Sequence, residues 1–453
     1  MTRMNGTRLR GAFLGARLRG GRTTMAALAM VGVLTLSACD DLLEVENPNQ
    51  LVQEDLLSPA AAGALANGAL STVSRGYGQI ALLAAAAGDE VVFTGSRDAW
   101  IQLQSGDLRD PANEFSDAAW PFITEGRWMA DEAVRILEGH DQAGSLTNRT
   151  NLARARLYSA IMYTQIADLW EDFVFSNRTE TNPPIGEAGM LGLYDQAVAN
   201  LDGALAIAQA TGNSALQATI LAQRARTKHA KGVRGKITPA GSTPANPLVN
   251  DGGANADAQA ALALVTGDWM FRFTYSANTV DNNWGAWVNE RLELRPSNTY
   301  VQATEDDKRV ASITLMDPID DIPAPGLSAI IMEAVAARQF GPLTVVSARE
   351  LHLILAEAAL AQGDDAGFTM HINNLRALDS LTPYSGQVAA MDLLKHSRMS
   401  NLYNTGRRLS DHYRFGTKSA LWNPNFEAAN RPGTLFPIAQ LERTSNCHLL
   451  GAC

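Results

Sequence analysis

The chain has 453 residues, with 37 Lys and Arg against 47 Asp and Glu, a formal net charge of −10. That balance argues against a nucleic-acid partner and against a polybasic grip on anionic lipid. Three cysteines in so long a chain exclude a disulfide framework.

Residues 1–38 read as an export leader to be removed. Arg3, Arg8, Arg10, Arg17, Arg19 and Arg22 precede an apolar run from Met25 to Leu36, with no acidic residue among them. The run has the length of a signal-peptide core and is too short to span a membrane. It ends in Leu36-Ser37-Ala38-Cys39, which resembles the bacterial lipobox, so Cys39 is the expected lipid attachment site. Less the six leader arginines, 31 basic residues face 47 acidic ones, a mature net charge of −16. The expected product is tethered by acyl chains, with no membrane-spanning run of its own.

In chain order, the first helices are predicted over 54–70, 76–90 and 116–138. Tyr158, Ile161, Met162, Ile166 and Leu169 form one helical stripe, and Tyr194, Ala197, Val198, Leu201, Leu205 and Ala208 another. These predict a helix over 152–170 paired with 193–210, and a further pair, 215–231 with 256–265. Residues 232–255, rich in Gly, Pro and Asn, read as a loop. Residues 268–346 carry strand-like aromatic stretches such as Phe271–Tyr275, with Pro-rich turns near 318–325. Leu351, Ile354, Leu355 and Ala358 predict a helix over 347–362, followed by another over 366–378. Between them Gly363 can take the left-handed conformation that stops the first helix. The stretch 380–435, with Pro383, Pro424 and Pro432, reads as irregular. Cys447 and Cys453 are expected to close a small terminal disulfide in an oxidising compartment.

The fold class implied is mainly α, built of tetratricopeptide-like helical hairpins. Residues 39–453 form one domain, with 232–346 a loop-rich, partly β insertion that binds ligand. Ala356 to Asp364 is similar to a tetratricopeptide hairpin turn, but the irregular spacing is not a clean repeat array.

Several segments together resemble the SusD/RagB nutrient-uptake lipoproteins. Cys39-Asp40-Asp41-Leu42-Leu43-Glu44-Val45-Glu46-Asn47-Pro48 is similar to that family's opening. Trp120 to Leu137, Ala153 to Trp170 and Leu193 to Gly232 resemble successive helices. Arg349-Glu350-Leu351-His352-Leu353-Ile354-Leu355-Ala356-Glu357-Ala358 and Ile372-Asn373-Asn374-Leu375-Arg376 resemble a later pair. Gly406 to Gly416 is similar to the Gly-x-Arg…Asp…Arg-x-Gly segment, and Phe436-Pro437-Ile438 to Asn446 to the close. His396 and Thr405 stand where the family has glutamates, and 232–346 does not align. The resemblance implies a SusD-like helical fold, lipid-anchored at the outer membrane and surface-facing. It also implies a partner, a TonB-dependent, SusC-like barrel transporter, and an oligosaccharide or peptide ligand.

Catalytic motifs such as HExxH, GxSxG, GxxxxGK[ST] and the Rossmann fingerprint are absent. No enzyme activity, metal or cofactor is therefore expected. His352 and His371 lack ligand spacing, and Asp251 to Asp257 fails the EF-hand pattern. The acidic doublets Asp89-Glu90, Glu171-Asp172, Asp306-Asp307 and Asp320-Asp321 read as solvated turns and helix ends rather than a glycosidase pair. Capture needs flat aromatic faces and orienting amides. The best cluster is Asn282-Asn283-Trp284-Gly285-Ala286-Trp287-Val288-Asn289, and Trp100 in Arg97-Asp98-Ala99-Trp100 is a second candidate. The expected ligand residues are thus Trp100, Asn282, Asn283, Trp284 and Trp287. The competing reading has the tryptophans plugging a gap between insertion and scaffold. Trp120, Trp128, Trp170, Tyr158 and Tyr194 fit helical patterns and read as core, and Trp269 and Trp422 stay open. A lipid-anchored capture subunit for oligosaccharides is the favoured function. A peptide-capturing member of the same family and a structural adaptor lipoprotein are the alternatives.

Overall fold

The computed structural model describes residues 57–177, 180–303 and 310–453. The leader, Cys39, the segment 40–48 and the Asp306-Asp307 doublet lie outside them.

Helices carry the architecture. The chain runs α1 (Ala62–Ala87), β1 (Val91–Phe93), α2 (Ala99–Gln104), α3 (Glu114–Gln142), α4 (Thr150–Leu169), α5 (Gly186–Ala210), α6 (Ser214–Ile237) and α7 (Gly252–Leu262). It continues through β2 (Met270–Phe273), β3 (Leu294–Pro296), β4 (Val301–Ala303), β5 (Val310–Ile313), α8 (Pro325–Ala336) and β6 (Leu343–Ser347). Then come α9 (Ala348–Ala361), α10 (Asp365–Leu378), α11 (Ala390–Asn401) and α12 (Arg408–Phe415), with short helical turns to the C-terminus. As the apolar stripes predict, α4 packs on α5, α6 on α7 and α9 on α10. Gly363 has φ 71° and Asp364 caps α10, its Oδ1 accepting from Gly367 N at 2.9 Å. None of the described helices is long and apolar enough to cross a membrane.

Three places depart from the sequence reading. Helices over 54–70 and 76–90 are in fact one, because the polar break folds back on itself. Thr72 Oγ1 donates to Gly68 O at 3.2 Å and Ser74 Oγ to Ser71 O at 2.9 Å, so the hydroxyls satisfy the helix rather than interrupt it. Glycines then set the crossing of α1 on α3. A Cβ on Gly76 would lie 2.9 Å from Phe122 O, and one on Gly126 would lie 3.0 Å from Thr72 O. Second, the stretch 380–435 contains α11 and α12. Third, Asp89-Glu90 is buried, not a solvated turn.

The strands are short antiparallel pairs: β1 with β3, β2 with β6 and β4 with β5. The first pairing, Val91 opposite Pro296 to Phe93 opposite Leu294, fastens the end of α1 to the tryptophan-rich segment.

Ionic contacts complete the burial of α12, whose apolar face is limited to Leu409 and Tyr413. Glu357 on α9 has no exposure to water. Its Oε1 accepts from Arg414 and from Val249 N at 2.8 Å. Its Oε2 accepts from Arg414 Nη2 at 3.0 Å, His229 Nε2 at 3.1 Å and Arg398 Nη1 at 3.4 Å. Asp411 bridges the same two arginines, accepting from Arg398 Nε and Arg414 Nε, each at 2.8 Å. Burial alone would raise the Glu357 pKa; Arg414, His229 and Arg398 outweigh it and hold the carboxyl well below the usual range. A second cluster joins Arg226 on α6 to Glu350 Oε2 at 2.8 Å, with Arg407 pairing Asp168 on α4. Thus the segments 349–358 and 406–416 supply the ions that lock α4, α6, α9, α11 and α12 together.

Two predictions follow from this burial. Glu357→Gln keeps the shape but leaves Arg398 and Arg414 with Asp411 as their one carboxylate, so unfolding in urea should lose about 3–5 kcal/mol; a loss below about 1 kcal/mol would show that the cluster holds nothing. Glu90, pushed up to about 8 by burial against the pull of the Asn404 N–H and Arg408, binds a proton in the folded state that the unfolded chain releases near 4.5. Stability from this group is therefore full below pH 4.5 and falls as pH rises towards 8. Glu90→Gln should remove that component, so wild type loses stability relative to the variant between pH 5 and pH 8.5. A constant difference across that range would contradict the assignment.

Candidate functional site

The β1–β3 pairing brings two distant stretches of sequence together, and a single carboxylate fastens them. Glu293 Oε2 accepts from Ser96 N at 2.7 Å and Arg97 N at 2.9 Å, and its Oε1 accepts from Ser96 Oγ at 2.8 Å. A side chain cannot fit beneath this clamp: a Cβ on Gly95 would fall 2.1 Å from Glu293 Oε2. Directly after it, Arg97-Asp98-Ala99 leads into α2 and Trp100.

Trp100 is 1% exposed and stacks on Phe115, with ring centroids 3.8 Å apart and planes 11° apart. Phe115 is held there by the cap of α3. Asn113 Oδ1 accepts from Phe115 N at 3.1 Å, while Asn113 Nδ2 donates to Ala99 O at 2.9 Å and ties the starts of α2 and α3. Trp287 stands edge-on against this stack, 5.4 Å from Trp100 and 4.9 Å from Phe115. It is half-buried, and the exposed Arg291 guanidinium lies 4.3 Å above its ring. Arg97 lies 6.0 Å over Phe115 and pairs with Glu114 at the rim. The result is a rigid aromatic shelf whose outer plate is covered by one mobile-length side chain.

Of the five residues singled out by sequence, the structure brings Trp100 and Trp287 into contact and gives the others local bonds. Asn282 is buried and caps a helical turn, Oδ1 accepting from Trp284 N at 2.9 Å and Nδ2 donating to Gly341 O at 2.6 Å. Asn283 Nδ2 donates to Gln79 Oε1 at 2.8 Å. Trp284, 1% exposed, lies in the core. Asn289 Nδ2 donates to Ala334 O and Arg338 O. These asparagines tie the segment to the frame, a role that Asn282 just ahead of a helical turn signals in sequence. Phe115, Arg291 and Glu293 were not legible, because nothing in their local pattern marks them as neighbours of the two tryptophans.

The remaining tryptophans divide by position. Trp120 and Trp170 are core, as their helical stripes imply. Trp422 is buried too, its Nε1 donating to Ala87 O at 3.0 Å, and Trp269 is half-buried against the core. Trp128 differs from the core reading: it is half-buried and lines a groove of about 420 Å³ with Phe122, Glu125 and Glu442. Cys447 and Cys453 form a disulfide. With His448 they are the one group among the described residues with metal-ligand spacing, and the bridge removes both thiolates. His352 is pushed down to about 4 by burial and the neighbouring His371, which keeps its imidazole neutral.

No protein-family model and no curated protein matches the sequence. Solved structures do match the fold. A SusD homolog from Bacteroides thetaiotaomicron superposes with a TM-score of 0.60 at 14% identity, over 86% of this chain and 96% of that one. A SusD superfamily protein from Bacteroides fragilis gives 0.59 at 12% identity, over 86% and 99%. A SusD-like carbohydrate binding protein from Bacteroides vulgatus gives 0.55 at 15% identity, over 87% and 98%. The chain has the SusD-superfamily fold along nearly the whole of those proteins.

The clamp yields a local test. Glu293→Ala, and independently Gly95→Ala, should raise amide exchange across residues 94–97 by about fivefold or more, since the first removes and the second displaces the carboxylate that accepts from these N–H groups, hydrogen bonds worth about 1 kcal/mol. Unchanged exchange in both variants would show that the clamp does not order the loop.

Proposed function

We propose that the chain is a sugar-capturing lipoprotein of an outer-membrane uptake system, and that the Trp287 shelf is where the ligand stacks. The single observation that carries the reading is the half-buried Trp287 ring braced edge-on by the Trp100–Phe115 stack, on a fold shared with a protein described as SusD-like and carbohydrate binding. A sugar ring presents C–H faces that pack on an indole, and it presents hydroxyls that Arg291, Arg97 and Asp98 at the rim can meet. Arg291 holds the place of the ligand until the sugar displaces it.

In this reading 1–38 is removed, Cys39 carries lipid, and residues 39–453 act as one binding unit whose 232–346 portion supplies Trp287. A TonB-dependent, SusC-like barrel receives the captured oligosaccharide. Capture without bond cleavage is part of this reading, and the buried Asp89 and Glu90 belong to the frame.

The test is a glycan and peptide array on the mature chain, followed by calorimetry on Trp287→Ala. An oligosaccharide should bind without turnover, and the variant should weaken it roughly threefold to tenfold, as loss of one aromatic stack implies. Full affinity in Trp287→Ala would move the site elsewhere. Binding confined to peptides would favour the peptide-capturing alternative, and binding to neither the envelope adaptor.

A further inference from the structure

A second cavity, of about 320 Å³, opens between β2, β6, α8 and the Tyr403–Asn404 turn. Its size sits at the small end of small-molecule sites, below what an oligosaccharide needs. Its chemistry also differs from that of the shelf. Among the described residues the one aromatic side chain lining it is Tyr403, which is buried with its hydroxyl on Glu90 O. The cavity therefore lacks an open plate for a sugar ring.

What it offers is charge of both signs against an apolar wall. Two guanidinium groups line it, and they are not equivalent. Arg349 is fully engaged, donating to both oxygens of Asp268, both oxygens of Asp379, and Asn401. Arg272 spends only Nη1, on the two oxygens of Glu333; its Nε and Nη2 donate to nothing among the described residues. A planar fork with two unspent donors matches a carboxylate. The carboxylates of Asp268 and Glu333 each keep lone pairs beyond their arginine partners, and both are partly exposed. Asn404 adds an acceptor at the inner end: it is 7% exposed, held at φ 58°, and its Oδ1 has no partner among the described residues. Met270, Ile330 and Leu343 form the apolar side.

We propose that this cavity binds a small aliphatic zwitterion of the α-amino acid class. The ligand carboxylate takes the free edge of Arg272. Its ammonium takes the Asp268, Glu333 and Asn404 oxygens, and its side chain lies along the apolar wall. This assignment does not depend on sugar capture at the shelf.

The experiment is calorimetry on the intact mature chain with L-leucine, L-leucinamide, 4-methylpentanoate and glucose as probes. L-leucine should bind saturably, and the two analogues, each lacking one charged group, should bind roughly tenfold more weakly or worse. Arg272→Gln should weaken L-leucine by a similar factor with its unfolding midpoint unchanged, since the Arg272–Glu333 pair lies at the surface. Ala329→Trp, at an exposed lining position of α8, should fill the cavity and remove binding. The proposal is overturned by no saturable binding of L-leucine, by glucose binding in its place, or by unchanged leucine affinity in either variant.

Discussion

Glu357 is a carboxylate with no access to water, and much of the frame is arranged to keep it charged. Two arginines, a histidine and a backbone N–H converge on it from α11, α12, α6 and the segment before α7. Desolvating one ion costs several kcal/mol, so the site is tolerable only when all partners are present together. That makes the cluster a registry device: no helix in it can slide or rotate without stranding a charge. The Arg226–Glu350 and Arg407–Asp168 pairs repeat the logic about two turns away along α9 and reach α4. Close packing does the same work on the other side, where Gly76 and Gly126 leave room for nothing but backbone between α1 and α3.

The aromatic shelf inherits its rigidity from this frame. At the end of α1, Asp89 pairs with Arg408 of α12 at 3.1 Å, and Glu90 O accepts from Tyr403 Oη and Ser297 N. From that anchor β1 pairs with β3, Glu293 clamps the loop, and Trp100 and Trp287 meet. A short path of ion pair, strand pairing and hydrogen bonds therefore runs from the charge lattice to the shelf. Arg291, exposed at the outside, lies over the Trp287 ring without being one of these links.

Sequence legibility followed the type of force that buries each element. The hairpins α4–α5, α6–α7 and α9–α10 bury apolar stripes, and a stripe is visible as periodicity. The helix α12, Arg-Leu-Ser-Asp-His-Tyr-Arg-Phe, buries ions, and so it reads as solvated surface until its partners are known. Asp89-Glu90 misleads in the same way. The segments 349–358 and 406–416, which resemble SusD-like proteins, are also the ones that carry the lattice. At the shelf, both tryptophan segments stand out in the sequence by residue type and by their place outside the core helices. Their contact does not, because it depends on a strand pairing of three residues, too short to leave a pattern. Asn282, Asn283 and Trp284 share a segment with Trp287 but face the frame, a distinction that composition does not encode.

The central claim is a division of labour, with buried charge holding the frame and a half-buried aromatic plate holding the ligand. One crossed experiment tests it directly: glycan affinity and unfolding free energy measured side by side for Glu357→Gln and Trp287→Ala. The account predicts that the first lowers stability while its folded fraction keeps wild-type affinity, and that the second lowers affinity with stability nearly unchanged. Loss of binding in folded Glu357→Gln, with Trp287→Ala binding normally, would contradict it.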